Sequence, residues 1–163
     1  MGLERVGNWA QGVRAVEQLG KKMLQAQEIA LKRVGLYAEG QAKLHIRNQD
    51  LGWKPLQPKT IADKIRKGFS TNILVQTSSY FQAITSWVDK NKGVAYVGVK
   101  KQVRNKETGE LVADIAKVHE FGSKSGSIPA RPLWQPVNKE ALEFMKKPEN
   151  TPPAIFRKLM QGI

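Results

Sequence analysis

Apolar residues recur in steps of three and four along the first third of the chain. Residues at this spacing share one side of an α-helix, so the pattern predicts a helix from about Ala15 to Leu44. Such a helix is about 45 Å long, whereas a compact domain of this size has a radius of gyration of about 15 Å. It is therefore either a spine for the domain or a spine with one end serving a neighbouring subunit. The stripe comprises Val16, Leu19, Met23, Ala26, Ala30, Val34 and Tyr37.

Glycines interrupt this pattern. Gly20, Gly35 and Gly40 each cost about 1 kcal/mol relative to alanine inside a helix, so they predict a possible bend or break.

The middle of the chain carries a β-hairpin signal. Residues 84–88 alternate, Lys90-Asn-Lys-Gly93 is a turn sequence, and residues 94–99 are β-branched and aromatic. Shorter helices are predicted at Thr60–Lys67, with Ile61 and Ile65 on one face, and at Pro136–Lys147. The predicted fold class is α+β: a long N-terminal helix packed on a small antiparallel sheet (hairpin near 84–99), with further short helices and a C-terminal helix.

The C-terminal segment is predicted to be separate from the domain. Pro148 ends the helix before it, which divides the chain into a single α+β domain at 1–147 and an arm at 148–163. Its apolar residues have little core left to join, so we expect the arm to dock on a partner. These residues are Ile155, Phe156, Leu159 and Met160.

The charge balance is strongly basic. Lys and Arg number 27 against 14 acidic residues, a formal net charge of +13 that attracts polyanions. The densest basic cluster is either a solvated loop or a contact for DNA or an acidic partner, and it would neutralise phosphates without reading bases. The cluster comprises Lys100, Lys101, Arg104 and Lys106.

No apolar run approaches the roughly 20 residues of a membrane span, so no membrane partner is expected.

No catalytic pattern stands out. The chain has no cysteine and only two histidines, His45 and His119, neither of which has a second ligand at helical or zinc spacing. No nucleophile elbow or phosphate loop is present. We therefore expect no enzyme activity, no catalytic residue, no metal and no cofactor.

The most distinctive motif is Lys117-Val-His-Glu-Phe-Gly122, followed by a small polar loop and Ile128-Pro-Ala-Arg-Pro132. Gly122 can end a helix by adopting a positive φ. The two prolines hold Arg131 on a stiff segment, which suits a docking surface better than an active site. Phe121 and Ile128 are predicted to anchor the ends of the loop in the core, and Ser123–Ser127 to be mobile until assembly.

Taken in order, these motifs resemble the virion-morphogenesis and tail-completion (neck, head–tail joining) proteins of tailed bacteriophages. The order is a long helix, Trp53-Lys-Pro-Leu56 with Thr60 and Lys64 behind it, Ile73-Leu-Val-Gln-Thr77, the hairpin, and the two motifs above. The match runs from about residue 15 to 147. It departs from the family pattern at Thr77-Ser78, at Leu133, and in the long basic stretch at 100–110.

The resemblance implies a structural virion protein at the neck or tail terminus, assembled in the host bacterial cytoplasm. It would form a homo-oligomeric ring, hexameric by expectation, around the DNA channel, between neck or connector and tail-tube proteins. The alternative is a basic DNA-binding or packaging accessory protein, and a more distant one is a nuclease. The expected subunit or partner contacts are His119, Glu120, Phe121, Arg131, Trp134, Ile155, Phe156, Leu159 and Met160.

Overall fold

The apolar stripe forms one unbroken helix, α1, from Trp9 to Asn48, in a computed structural model that describes residues 7–162. The side chain of Asn8 accepts a hydrogen bond from the backbone N–H of Gln11 and caps its start. Gln49 ends the helix in the left-handed conformation, with φ 57°, and its N–H donates to the His45 carbonyl. The helix is therefore longer at both ends than its periodicity predicted.

The remaining elements confirm the predicted α+β fold class. Strands β1 and β2 form a two-stranded antiparallel hairpin in which Ile84 lies opposite Val99 and Asp89 opposite Val94. A 3₁₀ turn at Pro148–Asn150 precedes the last helix. In chain order the other helices and strands are α2 Pro58–Arg66, α3 Ser79–Ala83, β1 Ile84–Asp89, β2 Val94–Val99, α4 Val112–Phe121, α5 Trp134–Lys146 and α6 Pro152–Gln161.

Helix α1 is the scaffold against which the hairpin, α5 and α6 pack. Gly35 is buried at the hairpin contact, where a Cβ would lie 3.2 Å from the Cβ of Ser86. The Glu39 carboxylate fixes the same contact by accepting hydrogen bonds from the N–H (2.8 Å) and Oγ (2.9 Å) of Ser86. Gly35 therefore allows close approach of the hairpin and does not break the helix.

The main core lies where the C-terminal half of α1 meets β1, α4 and α5. An isolated two-stranded sheet is marginally stable in water, so burial of one face of the hairpin on α1 is what holds it. The largest fully buried side chains of this main core are Ile46, Ile84, Val112, Leu133 and Val137.

A second, smaller cluster joins α6 to α1. Ile155 is 3% exposed and packs against Ala26 and Ala30, with Phe156 and Leu159 half-buried beside it. The expectation that these C-terminal residues have little core to join is therefore wrong for Ile155. Small residues on α1 leave a groove that a branched side chain can fill. The Lys22 ammonium adds a hydrogen bond to the Leu159 carbonyl at 3.1 Å.

The N-terminal end of α1 projects away from these contacts. Every residue from 9 to 21 is exposed, and Val16 keeps 68% of its surface accessible. These 13 residues span about 20 Å. Within residues 7–162, no helix is long and apolar enough to cross a membrane.

Candidate functional site

The segment between α4 and α5 folds back on itself at Gly122. This glycine has φ 82° and ψ 165°, and a Cβ there would lie 3.2 Å from both Ala130 N and Ile128 O. The positive φ predicted for it is confirmed. The Ser123 N–H donates to the Ile128 carbonyl (2.9 Å) and the Arg131 N–H to the His119 carbonyl (2.6 Å). Arg131 is thereby brought back beside the end of α4.

Glu120 stabilises the start of α5. Its carboxylate accepts hydrogen bonds from the backbone N–H groups of Leu133 (2.8 Å) and Trp134 (3.2 Å). These N–H groups have no partner within the helix, and the helix dipole favours a negative charge there. Trp53 fixes the same turn because its Nε1–H donates to the Pro132 carbonyl at 2.9 Å. Glu120 thus has a structural role inside the subunit.

Lys64 points into the protein, in contrast to the predicted face of α2. It is 6% exposed, whereas Ile65 is 64% exposed. Its ammonium donates to the carbonyls of Asn72 (2.6 Å) and Val75 (3.0 Å). Two backbone acceptors therefore replace the water that a lysine normally keeps around its charge.

Arg131 is a second buried cation, at 5% exposure. Its Nε donates to the Lys54 carbonyl at 3.3 Å. Among residues 7–162, no acceptor lies within hydrogen-bond distance of its two terminal nitrogens, and neither Arg131 nor Lys64 forms an ion pair. Buried charges are normally paired, so both are unusual.

Both cations line one cavity of about 350 Å³, which we call the basic pocket. It lies between α2, the 74–80 segment, α4 and the loop before α5. His119 and the hydroxyl-bearing Ser79 and Tyr80 also face it, and no acidic residue of the described chain does. The rest of its wall is mixed: Leu56, Leu74, Ile115 and Ile128 are apolar, whereas Gln57, Thr60, Gln76 and Asn105 are polar.

The pKa values in the pocket reflect this burial. Desolvation lowers the pKa of Arg131, and desolvation together with the charge of Arg131 lowers the pKa of Lys64. Burial, with the charges of Arg131 and Lys64, lowers the pKa of His119 to about 4, so its imidazole is neutral at pH 7. Burial and the carboxylate of Glu120 raise the pKa of Tyr80, whose phenol stays protonated.

Several polar and backbone groups around the pocket are strained or unpaired. The buried Tyr80 hydroxyl and His119 Nδ1 have no hydrogen-bond partner among the described residues. Leu74 (φ 62°) and Ser78 (φ 58°) are non-glycine residues in the left-handed region, and both line the cavity. Each such conformation costs about 1–2 kcal/mol. Clusters of strain and unsatisfied polar groups are characteristic of functional sites.

The other sequence-predicted residues do not share this pocket. Neither Phe121 nor Ile128 anchors the loop in the core, since they are 77% and 37% exposed. Phe121 lies about 140–180° around α4 from the buried Val112 and Ala116, so its ring faces solvent. Trp134 is half-buried against the main core, and Met160 remains exposed on α6. The assignment of these residues to a subunit interface remains a prediction.

The basic cluster lies on an ordered turn. Arg104 pairs with Leu111 in an isolated β-bridge, and its Nη1 donates to the Gly109 carbonyl at 2.8 Å. Lys100, Lys101 and Lys106 are exposed around it. The positive charge of this turn therefore has a defined position.

His45 is held by acids on both ring nitrogens. Its Nδ1 lies 2.7 Å from Asp50 and its Nε2 lies 3.0 Å from Glu140. This arrangement ties the end of α1 to α5. Within residues 7–162, no group of three His, Asp or Glu side chains is placed to hold a metal ion.

The fold is thus an α+β domain on a single long helix, with a basic pocket that two buried cations line. The chain is 32% identical over 101 residues to the uncharacterized protein MJ0331 of Methanocaldococcus jannaschii, an alignment that covers 62% of this chain and 67% of the archaeal protein. The chain therefore belongs to the same protein family as MJ0331. No family model and no solved structure matches the chain.

Proposed function

We propose that the protein is a non-enzymatic structural subunit of a tailed-phage virion that assembles into a ring at the neck or tail terminus. The observation that carries the proposal is the projecting end of α1. This end and the turn after it carry an apolar face, formed by Trp9, Val13, Val16 and Met23, whose side chains are each between 56% and 68% exposed. A monomer gains nothing from extending an apolar helix into water, whereas a subunit gains an interface.

The occupant we propose for this face is the next copy of the same chain. Rings require two different complementary surfaces on each subunit, one for each neighbour. An apolar groove between α1, the hairpin and α5, with a volume of about 610 Å³, supplies the second surface. Val94, Leu142 and Met145 line it with substantially exposed side chains. The helix end of one subunit would lie in the groove of the next.

The motif order and the charge also support this role. The Gly122 turn and the hairpin, two of the motifs that carry the resemblance to tail-completion proteins, both form as the sequence predicts. The net charge of +13 suits a ring through which DNA passes, provided that the charge is spread and does not grip the strand.

Native mass spectrometry and electron microscopy of the purified protein test the ring. Val16→Glu places a charge on the apolar face and is expected to yield monomers. Gln18→Glu is the matched control because residues 16 and 18 lie about 200° apart around the helix axis. Rings from wild type and Gln18→Glu, and none from Val16→Glu, support the proposal. A wild-type protein that stays monomeric at every concentration and is missing from mature particles contradicts it.

The alternative of a dedicated DNA-binding protein is favoured by the ordered basic turn alone. A salt titration of duplex binding separates the two functions. A dedicated binder retains affinity at physiological salt, and replacing Lys100, Lys101, Arg104 and Lys106 with alanine lowers its salt slope by up to about 4. A ring subunit binds weakly, and the same replacements change little.

A further inference from the structure

The basic pocket has the composition of an anion-binding site. Two cations are nearly fully buried in its wall, without an acidic partner in the described chain. The carboxylate that lies nearest in sequence to His119, that of Glu120, is committed to the start of α5. Two like charges in one cavity repel each other, so an anion bound between them would remove both the repulsion and the unpaired burial.

The donors in the pocket define the chemistry of the ligand. The free terminal nitrogens of Arg131 present a planar fork that matches two oxygens of one anionic group. The Lys64 ammonium is fixed by two carbonyls and supplies a second positive charge. Nδ1 of His119 and the hydroxyl of Tyr80 are buried polar atoms with no hydrogen-bond partner of good geometry among the described residues, and the hydroxyl lies beside the Trp134 side chain. Two cations, a phenol and a neutral imidazole that can donate from either ring nitrogen suit a group with two negative charges and several oxygens.

The volume and the apolar part of the wall indicate that the anion is carried on an organic body. The cavity of about 350 Å³ falls in the range of small-molecule sites. Leu56, Leu74, Ile115 and Ile128 offer it apolar contact. We propose that the basic pocket binds a phosphate monoester with a small apolar body, its phosphoryl oxygens held by Arg131 and Lys64 and its body by these side chains.

The two histidines of the chain give a direct test. His119 lines the pocket and His45 does not, so imidazole NMR signals report on the site and on a control in one sample. Phenyl phosphate is the probe, at constant ionic strength. We expect a saturable shift of the His119 signals and none at His45. Shifts that fail to saturate, or that are equal at the two histidines, would overturn the proposal as a general response of a protein with charge +13.

Variants then assign the site. Arg131→Met is expected to weaken phenyl phosphate binding about 10- to 100-fold, because it removes a charge-assisted pair. Arg157→Met makes the same change at an exposed residue of α6 and should bind as wild type does. Arg131→Lys keeps the charge but loses the planar fork of the guanidinium, and it replaces Arg131→Met in the test if that variant fails to fold. It should also bind phenyl phosphate more weakly than wild type. Wild-type affinity in a folded Arg131 variant would refute the site.

The ligand class has its own control. Benzoate carries a similar body with one negative charge, and inorganic phosphate carries the charge without the body. Both are expected to bind more weakly than phenyl phosphate. Benzoate binding as tightly as phenyl phosphate would show that the assignment of a phosphate group is wrong. The pocket lies within one subunit, so its test is independent of whether the protein forms a ring.

Discussion

Replacement of Gly122 by alanine tests how the chain builds the Arg131 segment. At φ 82° and ψ 165° the residue occupies a region that is essentially restricted to glycine, where an alanine costs about 3 kcal/mol. The new Cβ would also lie 3.2 Å from Ile128 O and Ala130 N. Ile128 O already accepts the Ser123 hydrogen bond, so it cannot yield without losing that bond. We expect a total destabilisation of about 3–4 kcal/mol.

Gly126→Ala is the matched control in the same loop. Gly126 has φ 73° but nothing lies within 4 Å of its added Cβ, so only the left-handed penalty of about 1–2 kcal/mol applies. Urea unfolding monitored by circular dichroism gives both free energies, and hydrogen exchange at the Arg131 amide reports whether its bond to His119 O opens. Equal losses in the two variants, with no faster exchange at Arg131, would refute the reasoning.

Three further predictions concern stability. Gly40→Ala should stabilise the protein by about 1 kcal/mol in urea unfolding, because Gly40 is helical and nothing lies within 4 Å of the added Cβ. Gly35→Ala should be less stable than Gly40→Ala by at least about 1 kcal/mol, because its Cβ would press on Ser86, which a hydrogen bond to Glu39 holds in place. Ile155→Ala should cost about 2–3 kcal/mol at the α6 contact and raise hydrogen exchange in α6, and unchanged exchange there would contradict the packing. His119 has a pKa of about 4 in the folded protein and 6.5 in the unfolded chain, so the unfolded chain takes up the proton first as pH falls. The free energy of unfolding should therefore drop by up to about 3 kcal/mol between pH 6.5 and pH 4, and His119→Gln should flatten this dependence in urea unfolding at several pH values.

Local patterns in the sequence were enough to predict the main elements. Spacing of three and four residues identified α1, and alternation with a glycine-containing turn identified the hairpin. The same reasoning treated Gly35 as a weak point because helix propensity is a local quantity. Its actual role depends on Ser86, about 50 residues away in sequence, and no local pattern predicts that contact.

The candidate site was predicted only in part. The stiff segment around Arg131 and the turn at Gly122 followed from proline and glycine chemistry. The burial of Lys64 in the same pocket as Arg131 could not be predicted in this way, because a lysine on a short amphipathic helix is ordinarily solvated. The one available signal was that Lys64 is three residues from Ile61 and so shares its face, while Ile65 takes the exposed position.

Two features of the chain conflict with the stability of an isolated subunit, and each conflict points to a binding event. The apolar face of the projecting α1 end is exposed where burial would stabilise it, which a neighbouring subunit would correct. Arg131 and Lys64 are buried where hydration would stabilise them, which an anion would correct. Natural sequences are otherwise locally consistent with their folds, so such conflicts persist where function requires them. Arg131→Met should therefore leave the anion-free protein at least as stable as wild type, although it destroys the proposed site.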